Sequence, residues 1–181
     1  MPGRLISILD SITEWLGRLT AWFAVLMVLV TCYVVLTRYV FDTGSIAVQE
    51  IIMYLNTLIF TVGAAYTLKH DAHVRVDIFF SKARPRTQAL INLAGTLLLL
   101  FPVVIFILIY CWDYVSASWA IREQSGDPGG LRWVYLLKTL ILLMGGLLLL
   151  QGFAEALRQI MTLLDPQSAK THTQPEEGVQ L

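Results

Sequence analysis

Residues 87–112 read TQALINLAGTLLLLFPVVIFILIYCW, a run of 26 uncharged residues between Arg86 and Asp113. As a helix rising about 1.5 Å per residue, this run covers about 39 Å. The hydrocarbon core of a bilayer is about 30 Å thick. Three further runs lack charge: 19 residues between Arg18 and Arg38, 18 between Glu50 and Lys69, and 16 between Lys138 and Glu155. The apolar pattern of the last begins earlier, at Leu131. The expected fold class is an all-α integral membrane protein with four transmembrane helices, at residues 19–37, 47–68, 87–112 and 132–154.

Composition agrees. Charged residues make up 14% of the 181-residue chain, too few to coat a soluble domain of this size. Thirteen basic residues offset thirteen acidic ones, so the basic surface of a nucleic-acid binder is absent. With two cysteines, Cys32 and Cys111, neither a disulfide scaffold nor a four-cysteine metal site is available. Buried free thiols are the default reading; a bridge between the first and third helices stays open. The first apolar run exceeds a signal-peptide core, and no small-residue cleavage site follows in 34–42, so it reads as a retained helix.

Orientation follows from Lys and Arg. Arg4, Arg18, Lys69, Arg75, Lys82, Arg84, Arg86, Arg158 and Lys170 fall on one side; Arg38, Arg122, Arg132 and Lys138 fall on the other. The positive-inside rule then makes both termini and the 69–86 loop cytoplasmic. Tyr33, Tyr39, Trp112, Tyr114, Trp119, Trp133 and Tyr135 mark the opposite interface as an aromatic belt.

Residues 4–18 have apolar Leu5, Ile8, Leu9, Ile12, Trp15 and Leu16 at helical spacing, with Arg4, Ser7, Asp10, Ser11, Glu14 and Arg18 between them. This pattern predicts an N-terminal amphipathic helix. Either it lies flat on the cytoplasmic leaflet, or its apolar face docks on a partner. Residues 1–164 read as one membrane domain, and the polar tail 165–181 as disordered. Asp127-Pro128-Gly129-Gly130 is a turn cluster between the third and fourth helices.

The second helix carries most of the intramembrane polarity. Gln49, Asn56 and Gly63 recur every seven residues, beside a stripe of Glu50, Tyr54, Thr57 and Thr61. Such groups in lipid usually serve helix–helix contact; lining of a solute path is the other reading. Lys138, Gly145 and Gly152 share heptad spacing on the fourth helix and offer a groove for another helix. Lys138 itself reads as a snorkelling lysine, with a substrate ligand as the other reading. Pro102 should kink the third helix. Arg38 and Glu50, at the ends of an expected 39–49 loop, are placed to pair or to meet headgroups separately.

Several sites are missing. The histidines are His70, His73 and His172, none inside an apolar run, which excludes bis-histidine haem. His70-Asp71-Ala72-His73 matches zinc spacing only loosely and reads as a solvated loop. No Walker, HExxH or GxSxG motif occurs, so no enzyme is expected. Transporters that bind solute themselves usually carry broken helices and matching halves. Neither is visible here, which favours a scaffold for a larger partner. The alternative is a four-helix membrane anchor of an enzyme or electron-transfer complex.

Arg38-Tyr39-Val40-Phe41, Gln49-Glu50, Gly63-Ala64-Ala65, His73-Val74-Arg75-Val76-Asp77, Gly129-Gly130-Leu131, Lys138 and Gln151-Gly152 together resemble the small membrane subunit of tripartite ATP-independent periplasmic (TRAP) transporters. The resemblance covers residues 15–160. It implies a multi-pass protein of the bacterial inner membrane, paired with a large TRAP membrane subunit and served by a periplasmic solute-binding protein. It implies uptake of a solute, often an organic acid, driven by an ion gradient, typically sodium, that the partner subunit uses. No cofactor, metal or catalytic residue is implied for this chain. Candidate partner or interface contacts are Arg38, Glu50, Asn56, His73, Arg75, Asp77, Lys138, Gly145 and Gly152.

Overall fold

A charged side chain ends an apolar run without ending the backbone hydrogen-bond ladder behind it, so helices run past the charge boundaries. The computed structural model describes residues 2–69 and 84–164. Its helices are α1 Pro2–Val40, α2 Ile46–Lys69, α3 Pro85–Gly95, α4 Phe101–Ile121 and α5 Val134–Leu164. A π-helical turn, Thr96–Leu100, joins α3 to α4, making one rod of the two. Four segments are long and apolar enough to cross a membrane: Leu9–Val40, Ile46–Lys69, Arg86–Ile121 and Val134–Leu164. No strand occurs among the described residues.

The π turn has a local cause. Pro102 has no backbone N–H for the carbonyl of Leu98, and its ring crowds that turn. Widening the turn just before the proline relieves both, and the Phe101 N–H reaches back five residues to the Thr96 carbonyl. The proline predicted as a kink is therefore accommodated by a change of helical register.

The stretch expected as a separate amphipathic helix is continuous with the first span. Together they form a 39-residue helix, about 58 Å long. Part of its polar face packs inside the chain. Thr13 is buried, Asp10 and Glu14 turn towards α2 and α5, and the apolar Ile12 and Trp15 are exposed, at 47% and 64%. These polar groups pair with one another across helices and leave Ile12 and Trp15 at the surface of the chain. The loop expected at 39–49 shortens to residues 41–45, closed by Thr43 N–H donating to the Thr37 carbonyl at 3.0 Å.

Cross-helix bonds fix the directions. The start of α1 meets the ends of α2 and α5 through Lys69–Glu14 and Arg158–Asp10. At the opposite end, Glu50 near the start of α2 meets the 122–133 loop. We call these the terminal end and the loop end. α5 is the hub, packing against α1, α2, α3 and α4, while α1 also packs along α2. Gly145, Gln151, Gly152, Ala154 and Ala156 of α5 are buried. A β-carbon on Gly145 would stand 2.7 Å from Leu108 Cδ2, and one on Gly152 2.5 Å from Leu100 Cδ2. The glycine groove expected to admit another helix admits the α3–α4 rod of the same chain. Cys32 and Cys111 are free thiols.

Candidate functional site

At the loop end, Glu50 lies one turn inside α2 and turns its carboxylate across the bundle. It accepts from the Ser125 hydroxyl and, at 2.5 Å, from the Leu131 backbone N–H. Ser125 N–H in turn donates to the Leu131 carbonyl at 2.9 Å, closing the 125–131 turn. Gly130 sits against this clasp: a β-carbon there would lie 2.6 Å from Glu50 Oε1. One carboxylate thus ties a loop that would otherwise be joined only to α4 and α5.

Lys138, one turn into α5, donates to Glu123 and lies 4.0 Å from the Tyr114 ring centroid. Its side chain is 15% exposed, so the ammonium is held by a carboxylate and an aromatic face within its own chain. The Lys138 ammonium holds the Glu123 carboxyl below its usual range. Trp119 Nε1 donates to Thr139 Oγ1 at 2.8 Å, and the Trp119 ring stands edge-on to Tyr135 at 4.7 Å. Arg122, in the left-handed conformation at φ 45°, caps α4 and sends the chain into the loop.

Arg38 does not join this cluster. It is exposed at the last turn of α1 and lines an open cleft with Asp42, Thr43, Gly44, Ile46 and Gln49. The pairing with Glu50 that the sequence allowed is not formed; Glu50 is bonded to Ser125 and Leu131.

The terminal end holds the more extensive network, and none of its members was among the sequence candidates. Arg158 Nη2 donates to Asp10 Oδ2 at 2.8 Å and Nη1 to Glu155 Oε2 at 2.5 Å. Lys69 Nζ donates to Glu14 Oε2 at 2.7 Å and to the Asp10 carbonyl at 3.0 Å. Gln151, 1% exposed, accepts from Thr13 Oγ1 at 2.8 Å and donates to Asp10 Oδ1 at 3.3 Å. Three helices meet through these side chains. The signal was present in the sequence as two acids in α1 and two bases that fall on the same side. Sequence alone puts the bases on one side and does not show that they meet these acids.

The two polar stripes of α2 part company. In the inner one, Glu50 is bonded, Thr61 is buried at 3% and the Tyr54 hydroxyl is enclosed. In the outer one, Gln49 and Asn56 are exposed beside exposed Met53 and Phe60. His73, Arg75, Asp77, the 70–73 cluster and the 165–181 tail lie outside the described residues. Among the described residues no group of three His, Cys, Asp or Glu side chains is arranged to hold a metal ion.

Four membrane-length helices, with paired charges at the two ends, match a known family over residues 27–162: "Tripartite ATP-independent periplasmic transporters, DctQ component". The chain belongs to this family. It is the small permease component of a TRAP transporter, a multi-pass membrane protein and a transport subunit. No curated protein sequence matches the chain significantly. The match begins inside the first span and ends near the close of α5, so it takes in the loop-end clasp and Gln151 but leaves out Asp10, Thr13 and Glu14. The enzyme-anchor alternative finds no support in it.

Proposed function

We propose that this DctQ-family chain is a scaffold: it holds the large TRAP membrane subunit in place while that subunit carries the solute, an organic acid delivered by a periplasmic binding protein. A sodium gradient used by the large subunit drives uptake, and this chain binds no cofactor. The location is the bacterial inner membrane, with the terminal end in the cytoplasm. The orientation is supported by the basic residues, which gather at that end.

The observation that carries the scaffold reading is what the partly buried charges do. Glu50 and Lys138 hold the 122–133 loop, while Lys69 and Arg158 hold α1. Each joins elements of this chain to one another. A carrier needs such groups turned towards a solute at mid-depth.

Purification from native membranes in mild detergent tests the reading. A much larger multi-span protein is expected to travel with this chain, and its deletion is expected to abolish uptake of a carboxylate panel by membrane vesicles. Undiminished uptake without the chain overturns the proposal. Cysteine introduced as Ser125→Cys is expected to react with an impermeant thiol reagent from outside the cell, whereas Ser7→Cys is not.

A further inference from the structure

We infer that the outward face of α2, built around Asn56, is the seat of a transmembrane helix of the large subunit that presents a hydrogen-bonding side chain at mid-depth. This rests on the function proposed above. Asn56 lies near the middle of the 24-residue span Ile46–Lys69, where the surroundings are hydrocarbon. Its side chain is exposed and makes no hydrogen bond to any described residue. A primary amide has two donors and an acceptor, and lipid tails satisfy none of them. One turn away on either side, Met53 is 47% exposed and Phe60 69% exposed, which gives the amide an apolar frame. Gly63 continues the same row, with nothing within 4 Å of an added β-carbon.

The exposed length of α1 offers a comparison within the same chain. Val25, Leu26, Val28, Leu29 and Leu36 are exposed there. The hydroxyls on that stretch are satisfied within the helix: Thr31 donates to the Met27 carbonyl at 2.8 Å and Thr37 to the Tyr33 carbonyl at 3.0 Å. Thr57 does the same on α2, donating to Met53 at 2.9 Å. Asn56 is the amide left without such a bond at the same depth. The heptad placement of Gln49, Asn56 and Gly63 suits a helix crossing at a shallow angle, with the amide as a buried polar contact. The occupant is therefore a polar-bearing transmembrane helix, and the large subunit is the partner that supplies one.

The test compares faces within the purified complex. Asn56→Leu is expected to lower recovery of the large subunit about threefold or more, and Asn56→Gln to restore most of it. A benzophenone amino acid replacing Phe60 is expected to cross-link to the large subunit on illumination, and one replacing Leu29 to give little product. Unchanged recovery with Asn56→Leu, or cross-linking at 60 no stronger than at 29, overturns the inference while leaving the scaffold function standing. Cross-linking from position 60 to a second copy of this chain also overturns it. A wild-type chain that brings down no large subunit overturns the function and the inference together.

Discussion

The two ends of the bundle are both polar, but they are built differently. The terminal end joins α1, α2 and α5 by side chains far apart in sequence: Asp10 with Arg158, Glu14 with Lys69, Thr13 with Gln151. The loop end uses Glu50 of α2 with the Ser125 hydroxyl and the Leu131 N–H of one turn, and the Lys138–Glu123 pair spans only fifteen residues. The first arrangement sets how the helices stand relative to one another. The second sets the shape of a loop on helices already in place. Stability should therefore reside mostly in the terminal end, and loop order in the other.

The sharpest way to break that division is Gln151→Leu. It removes a buried amide and strands the Asp10 oxygen it serves, at a cost of about 2 kcal/mol. A clear fall in the detergent-solubilised melting temperature is expected, and an unchanged one would sink the claim that this end holds the helices. A Thr13→Val partner in a double-mutant cycle should show non-additive losses, since the two groups share a bond. Next comes Gly152→Ala, which pushes a methyl group towards Leu100 and should cost roughly 1–2 kcal/mol.

Smaller effects belong to the loop end. Glu50→Gln keeps an acceptor but loses the charge, so amide exchange in 125–131 should speed up roughly several-fold with little change in melting temperature. If melting falls as far as with Gln151→Leu, the two ends do not divide the work as described. The smallest is a pH effect. Glu123 has a depressed folded-state pKa, so its contribution is complete above the ordinary carboxylate value of 4.5. It is lost progressively as pH falls below that value, because the unfolded chain takes up the proton first. Acid titration of melting should show this slope in the wild type and less of it in Glu123→Gln.

The four spans were legible in the sequence because uncharged length is a one-dimensional property. Their limits were less so: 87–112 became part of a rod from Pro85 to Ile121, since Asp113 and Arg86 bound the apolar run and leave helix formation unaffected. The polar pattern of 4–18 was legible too, but not which face turned inward. Periodicity gives the angle between stripes and not their direction in space. Within this stretch Ile6 and Thr13 are buried while Ile12 and Trp15 are exposed, a mixture set by packing against α2 and α5.

The candidate residues divide along the same line. Asn56 and Glu50 lie on adjoining stripes, and only packing against α5 and the 122–133 loop separates a bonded carboxylate from an exposed amide. Gly145 and Gly152 were recognisable as a groove, but their occupant, the α3–α4 rod, is a matter of helix arrangement. By itself, the sequence determined the number of spans, their apolar character, the imbalance of basic residues between the two sides and the family. The tertiary structure decided which polar groups meet. That choice depends on α5 lying between α1, α2 and the α3–α4 rod, and contacts among residues more than a hundred positions apart follow from helix packing and not from any local pattern.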